Sequence, residues 1–142
     1  MKRNFPALIL LVASVGLEAT DGTHQPGQTT TKPPPTPPYY RTAPPREKLP
    51  ATLDPETFQA SRTRDAYRVA RQTPETLAQL PCYCYCDRIE HKSLLDCYAD
   101  PHAEFCDICQ EEALLAQKLS SARTPVEKIR EEIIREFSTR RR

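Results

Sequence analysis

Residues 81–109 read PCYCYCDRIEHKSLLDCYADPHAEFCDIC, and this stretch decides how the chain can fold. It contains all six cysteines of the protein and two of its three histidines. Thiolates and imidazoles are the ligands that soft or borderline metals such as zinc and copper(I) prefer, and eight donors suffice for two four-coordinate sites or one thiolate-bridged cluster. The predicted metal ligands are Cys82, Cys84, Cys86, His91, Cys97, His102, Cys106 and Cys109.

Two local patterns refine this prediction. Cys106 and Cys109 are three positions apart at a predicted helix start, so they share a helix face and meet the positive end of the dipole, which lowers a thiol pKa. His102 lies just before that turn. In residues 82–86 every second residue is a cysteine, so the backbone must turn if these sulfurs are to meet. Pro81 fixes the chain where it enters this segment.

Three disulfides are the main alternative, because oxidising compartments turn a small cysteine-rich domain into a disulfide scaffold. A disulfide within C-x-C is strained, so each of the first three cysteines would pair with one of the last three. The protein would then be a disulfide-stapled binding module. A third interpretation is a thiol redox protein that uses Cys106-x-x-Cys109 as an exchangeable pair. The interleaved histidines favour metal ligation over both alternatives.

Around this stretch the signals for the starts of helices recur. A capping residue followed by proline suits the first turn of a helix. This arrangement occurs at Asp54-Pro55, Thr73-Pro74 and Thr124-Pro125. Thr124 and Glu127 also have the spacing of a capping box.

Apolar residues at helical spacing predict which helix faces are buried. The predicted stripes are Val126, Ile129, Ile133 and Phe137; Phe105, Ile108, Leu115 and Leu119 around Glu112; Phe58, Ala66, Val69 and Ala70; and the short pair Leu77 and Leu80. No run alternates convincingly as a strand, although residues 82–86 could form a short extended piece. We therefore predict an all-α fold, a small cysteine-rich helical domain that follows a signal peptide and a disordered proline-rich linker.

The N-terminal region predicts export. Lys2 and Arg3 precede an apolar run over residues 5–17, which is the layout of a secretory signal peptide, predicted at residues 1–19. The run is shorter than the about 20 apolar residues of a membrane span, so a membrane would be reached only through an uncleaved N-terminal segment. Proline and threonine dominate residues 20–53, which predicts an extended, disordered linker. The helical domain is predicted at residues 54–138 and a basic tail at residues 139–142.

Composition excludes several functions. No glycine occurs beyond Gly27, so a phosphate loop or dinucleotide fingerprint is excluded. A net charge of +1 gives no case for nucleic acid. Ser93 and His91 are two positions apart and do not face each other on a helix, and we assign no catalytic residue. Acidic residues near the cysteines, including Glu111 and Glu112, are predicted to be helix caps or dipole partners. The predicted partners are the metal ion and another exported or membrane protein.

The chain resembles the bacterial PCYCGC-motif family, a domain of unknown function found in exported proteins and lipoproteins. The resemblance covers about residues 66–137 and rests on residues 66–70, Pro74-Glu75, residues 81–84, residues 91–97, His102, residues 106–109 and the closing helix. Tyr85 departs from the family's glycine within the motif, and Glu90 stands where a glycine often precedes the histidine. The resemblance implies a bacterial, extracytoplasmic location, periplasmic or secreted, and a shared cysteine site. It supplies no activity.

Overall fold

The computed structural model describes residues 35–140, and all regular secondary structure in this part of the chain is helical, without a β-strand. The all-α prediction is therefore confirmed. The α-helices are α1 (Ser61–Gln72), α2 (Pro74–Ala78), α3 (Asp107–Ser121) and α4 (Val126–Phe137). The predicted signal peptide, the first part of the predicted linker and the last two residues of the basic tail lie outside the described residues. Within residues 35–140, no helix is long and apolar enough to cross a bilayer.

Short 3₁₀ helices precede α1 and connect α2 to α3. They comprise Arg46–Lys48, Pro55–Thr57, Cys86–Ile89, Leu94–Tyr98 and Pro101–Phe105. The last three lie between α2 and α3, in residues 81–106, which we call the ligand segment because it carries seven of the eight predicted ligands. The frame that holds it consists of α1, α3 and α4.

The predicted stripe of α1 is confirmed. Ala66, Val69 and Ala70 are buried on one face. Tyr67 lies on the same face, and its ring stacks on Phe58 with ring centroids 4.1 Å apart. Its other side meets the edge of Tyr98, whose ring centroid is 4.9 Å away. This aromatic stack joins α1 to the ligand segment.

The two C-terminal helices follow their predicted patterns to different degrees. In α4, Ile129, Ile133 and Phe137 are buried, as predicted. In α3, the predicted stripe is wrong at Phe105, which precedes the helix and is 84 % exposed. The face of α3 that is buried consists of Cys109, Gln110, Glu112, Ala113 and Ala116. One ligand, two alanines and two polar side chains thus take the place of large apolar residues here, and both polar side chains hydrogen-bond to the backbone of the ligand segment.

The predicted helix starts have different hydrogen bonds. The Asp54 carboxylate accepts a hydrogen bond from the backbone N–H of Glu56 at 3.1 Å, so it caps Pro55–Thr57. Pro74 begins α2 as predicted. The predicted capping box at Thr124 is wrong, because α4 begins at Val126 without a side-chain cap. The backbone N–H of Thr124 instead donates to the Leu119 carbonyl at 3.1 Å and so closes the end of α3.

The structure shows contacts in the described part of the predicted linker. The backbone N–H of Tyr40 donates to the Ala78 carbonyl at 3.0 Å, and that of Leu53 donates to the Tyr98 carbonyl at 2.9 Å. Both side chains pack against the buried core. Apolar side chains placed between the prolines therefore dock this segment on the helices, and the folded unit includes residues before Asp54.

Candidate metal centre

The eight predicted ligands come from five short stretches of the chain. Cys82 and Cys84 lie in the turn after Pro81. Cys86 begins the first 3₁₀ helix of the ligand segment, His91 follows that helix, and the next two 3₁₀ helices carry Cys97 and His102. Cys106 precedes α3, and Cys109 lies in the first turn of α3. These short turns are needed because no single helix could direct so many closely spaced side chains to one point.

Two left-handed residues shape the first turns. Tyr85 has φ 59° and Glu90 has φ 68°, a region that residues with a Cβ rarely adopt. The backbone N–H of Tyr85 donates to the Cys82 carbonyl at 3.4 Å, which closes the turn. As a result, the Sγ atoms of Cys82 and Cys84 are 3.2 Å apart. The predicted need for a backbone turn within C-x-C-x-C is confirmed.

Other thiols approach this pair from distant parts of the chain. The Sγ atoms of Cys82 and Cys109 are 3.5 Å apart, and those of Cys86 and Cys97 are 3.3 Å apart. Four sulfurs bound to one zinc ion at about 2.3 Å are separated from each other by about 3.8 Å. The observed separations are slightly shorter, so these sulfurs already lie at nearly the spacing of a shared ion.

Seven of the eight predicted ligands form three overlapping groups of four. The groups are Cys82, Cys84, Cys97 and Cys109; Cys84, Cys86, Cys97 and His102; and Cys84, His102, Cys106 and Cys109. Within each group the four donor atoms lie within 4.8 Å of one another. The structure therefore brings together the soft donors that the sequence pattern singled out.

The two histidines lie next to each other at the edge of these groups. His102 Nε2 is 3.3 Å from the Cys84 Sγ, and His91 Nδ1 is 3.5 Å from the Cys97 Sγ. The two rings meet edge to face, with centroids 5.4 Å apart. His91, outside the three groups, is thus the outermost predicted ligand.

An acidic residue supports the outer histidine. His91 Nε2 faces the Asp100 carboxylate at 3.5 Å, while its Nδ1 faces the sulfurs. Metal-binding histidines commonly use the second ring nitrogen in this way, because a carboxylate fixes the tautomer and the ring orientation. Tyr67 donates from its hydroxyl to the Asp100 carbonyl at 2.7 Å, which ties this support to α1.

The cysteines between residues 35 and 140 form no disulfide. Their closest sulfurs are 3.2 Å apart, whereas a disulfide bond is about 2.05 Å long. The close pairs also include Cys82 with Cys84, which the disulfide alternative excluded because of strain. The arrangement of the thiols therefore supports binding of a metal ion better than it supports three disulfides.

Burial divides the ligands into two sets. Cys82, Cys84, Cys86, Cys97 and Cys109 are buried. The remaining three, His91, His102 and Cys106, are partly exposed, and we call them the open edge. A bound ion would be shielded on one side and would be reached from the other.

The electrostatics of the buried thiols oppose further ionisation. Hydrogen bonds from Cys106, Cys109 and other thiols hold the pKa of Cys84 well below its usual range. Burial raises the pKa of Cys82, and contacts with Cys109 and other thiols raise that of Cys97. One thiolate is thus stabilised by neighbours that keep their protons. A bound cation that replaces those protons would allow the other thiols to ionise, because its positive charge compensates the buried negative charges.

Glu112 is a further buried polar residue at this centre. Its Oε1 accepts a hydrogen bond from the backbone N–H of Tyr83 at 2.8 Å, which fixes the turn between Cys82 and Cys84. Burial raises the pKa of its carboxyl group to about 8. Its prediction as a helix cap or dipole partner is wrong, because it lies in the second turn of α3 and faces inward. The spacing of three residues from Cys109 could have indicated this orientation.

Two further supporting residues were not singled out by the sequence pattern. Gln110 donates from Nε2 to the Ala103 carbonyl at 2.8 Å and so holds the 3₁₀ helix that carries His102. Tyr98 donates from its hydroxyl to the Cys109 carbonyl at 2.6 Å. Neither residue has a sequence signature, because glutamine and tyrosine are usually partly exposed.

Comparison with known families finds a match, and it spans the whole site. A family model described as a protein of unknown function with PCYCGC motif matches residues 40–139. The chain belongs to this family. The family match includes every predicted ligand and also residues 40–53, which dock on the helices. Comparison with curated proteins and with solved structures finds no match.

The family motif explains one of the unusual backbone conformations. The fifth position of PCYCGC is glycine, and in this chain it is Tyr85, which has φ 59°. Glycine adopts this conformation without a steric penalty. The chain therefore keeps the family's turn although it lacks the family's glycine, and the ligands on both sides of the turn still meet.

Proposed function

We propose that this protein is an exported, extracytoplasmic bacterial protein that binds zinc or copper(I) through its cysteine and histidine cluster. One observation carries the proposal. Soft donors from five stretches of the chain converge in three groups whose atoms lie within 4.8 Å, with no disulfide among them. The proposed ligands are the six cysteines together with His91 and His102.

Two features of the site support ion binding over a purely structural thiol core. His91 is supported by Asp100 in the manner of a metal ligand. Burial raises the pKa of the Cys82 thiol, so this ligand resists ionisation without a cation.

The open edge favours exchange of the ion over a purely structural role. His91, His102 and Cys106 are partly exposed, so donors from solvent or from a partner protein can reach them. An incoming thiol or imidazole could therefore replace these ligands first. Storage, delivery and sensing all need such exchange, with another exported or membrane protein as donor or acceptor.

Export is proposed from the N-terminal sequence alone. The positive start and the apolar run at residues 5–17 would direct secretion, and cleavage near residue 19 would release the mature protein. Fractionation of cells that express the full chain tests this proposal. We expect the mature protein outside the cytoplasm, with a mass that lacks the first 19 or so residues. Cytoplasmic protein of full mass would contradict it.

The function is tested on protein recovered from an extracytoplasmic compartment. Metal is measured by mass spectrometry, and thiols are counted before and after denaturation. We expect near-stoichiometric zinc or copper and six reactive thiols once the chain is unfolded. No metal together with six blocked sulfurs would contradict the proposal and select the disulfide-stapled binding module.

A double variant, Cys84→Ser with Cys106→Ser, tests the ligands directly. We expect it to release metal and to melt at a lower temperature, because it removes donors from all three groups. Ile133→Ala is the matched control, because it loosens the frame and leaves every ligand in place. A double variant with unchanged metal content and melting would overturn the proposal.

A further inference from the structure

Cys84 has a special position among the ligands. It is the only residue that belongs to all three groups of four donors. Cys97, Cys109 and His102 each belong to two groups, and Cys82, Cys86 and Cys106 each belong to one. The Cys84 sulfur therefore lies where the three candidate ion positions meet.

The chemistry of the shared atoms limits how the groups can be filled. A thiolate sulfur has more than one lone pair and can bridge two metal ions, whereas a neutral imidazole nitrogen has one lone pair and binds a single ion. The first and second groups share two sulfurs, those of Cys84 and Cys97. The first and third groups also share two sulfurs, those of Cys84 and Cys109. Either pair of groups can be filled at once through thiolate bridges.

A single ion would leave much of the site without a cation. One four-coordinate ion in the first group uses four sulfurs and leaves Cys86, Cys106 and both histidines unused. Cys86 is also buried, with its Sγ 3.3 Å from that of Cys97. The donors thus exceed what a mononuclear site requires, and they overlap in the way that a shared-sulfur cluster requires.

We propose that the centre holds a polynuclear metal–thiolate cluster of at least two ions, in which the Cys84 sulfur is the common bridge. This inference rests on the proposed function and deepens it. Cys97 or Cys109 supplies the second bridge, and His102 completes the coordination of one ion. His91 adds an outer donor beside Cys97. Zinc and copper(I) both form such clusters, and separate titrations distinguish them.

The first test is the metal count of the full mature chain. Native mass spectrometry during titration with zinc, or with copper(I) under anaerobic conditions, should show at least two ions bound per chain. X-ray absorption at the metal edge should show a short metal–metal distance. A wild-type chain that saturates with one ion, without a metal–metal distance, overturns the cluster and leaves the proposed function intact. A chain that binds neither metal overturns both.

The second test compares two single variants. Cys84→Ser removes the atom common to all groups, so we expect it to lose the metal–metal distance and to retain at most one ion. Cys86→Ser is the matched control, because that cysteine belongs to one group only and the first and third groups do not need it, so we expect it to keep at least two ions and the metal–metal distance. Equal losses in both variants, or a metal–metal distance that persists in Cys84→Ser, would contradict the bridge. Because the wild-type count and spectrum need no variant, a misfolded Cys84→Ser protein leaves the proposal testable.

Discussion

The frame and the ligand segment of this protein are held together in different ways. In α4, Ile129, Ile133 and Phe137 recur at helical spacing and are buried, so burial of apolar surface fixes the helix. Residues 81–106 instead form short 3₁₀ turns with two left-handed residues, and five buried cysteines pack at the point where this segment meets α3. Burial of apolar residues at helical spacing therefore stabilises the frame. The shape of the ligand segment is instead determined by the cysteine and histidine side chains that meet at one point.

Removal of metal should produce the largest difference between the ligand segment and the frame. Chelation should accelerate amide hydrogen exchange in residues 81–106 by more than about 100-fold, because metal-binding free energy stabilises this segment directly. Amides of α4 should change much less, since their burial does not depend on the donors. Exchange detected by mass spectrometry after proteolysis measures both regions in one sample. Equal acceleration in both regions would show that the frame and the ligand segment unfold as one unit.

A cavity in the frame should lower the stability of the protein and leave its metal binding unchanged. Ile133→Ala should lower the free energy of unfolding by about 2–5 kcal/mol, because it removes a fully buried side chain from α4. The folded variant should bind as much metal as the wild type. Ile89→Ala in the ligand segment is the control, because Ile89 is 56 % exposed and its loss should change stability by less than about 0.5 kcal/mol. Metal loss from folded Ile133→Ala protein would show that the frame does not hold its shape independently.

Glu112 connects the two regions and should make stability depend on pH. Its folded pKa is about 8, above the unfolded value of 4.5, so the folded state holds the proton more tightly. The contribution of this protonation to the free energy of unfolding is complete below about pH 4.5 and is lost as the pH rises through about 8. Glutamine does not titrate, so this loss is absent in Glu112→Gln. The free energy of unfolding of the variant, relative to that of the wild type, should therefore rise by on the order of 1 kcal/mol per pH unit across that window.

The measurement is urea unfolding of both proteins after removal of metal by chelation, at several pH values between 4.5 and 8. Taking the difference between the two proteins removes the pH dependence of the thiol ligands, which both share. Glu111→Gln is the matched control, because Glu111 is the neighbouring residue and lies in a surface ion pair with Arg140. A Glu112→Gln difference that stays constant with pH would show that the carboxyl group does not titrate in this window.

The sequence predicted the frame well because its signals are local. Helical spacing identified the buried face of α4, and proline positions identified where α2 begins. The candidate ligands were also predictable, since closely spaced cysteines and histidines have few other uses in one short stretch. The structure places seven of them within three compact groups, with His91 alongside.

The remaining features depend on contacts between distant residues. Phe105 fits the helical spacing of α3, but the chain turns before the helix and leaves its ring in solvent. Tyr40 and Leu53 lie among prolines and still dock on the core, because their backbone N–H groups find carbonyls of Ala78 and Tyr98. Local periodicity cannot show such partners, which exist only once the fold is formed.

The smallest predicted effect concerns the left-handed turns of the ligand segment. Glu90 is exposed and has φ 68°, a conformation that costs about 1–2 kcal/mol for a residue with a Cβ. Glycine removes this cost, although its greater freedom in the unfolded chain offsets about 0.4–1 kcal/mol. Glu90→Gly should therefore stabilise the protein by up to about 1 kcal/mol, measured by urea unfolding.

Two further variants show whether backbone conformation causes this gain. Glu90→Ala removes the same charge but keeps a Cβ, so it should give no gain. Tyr85→Gly should gain less than Glu90→Gly, because the ring of Tyr85 meets that of Tyr83 edge to face at 6.1 Å and this contact is lost. Equal stabilities of the glycine and alanine variants at position 90 would mean that the turn is not strained. A larger gain at position 85 would mean that the aromatic pair contributes little, and that the family's glycine suits the turn better than tyrosine does.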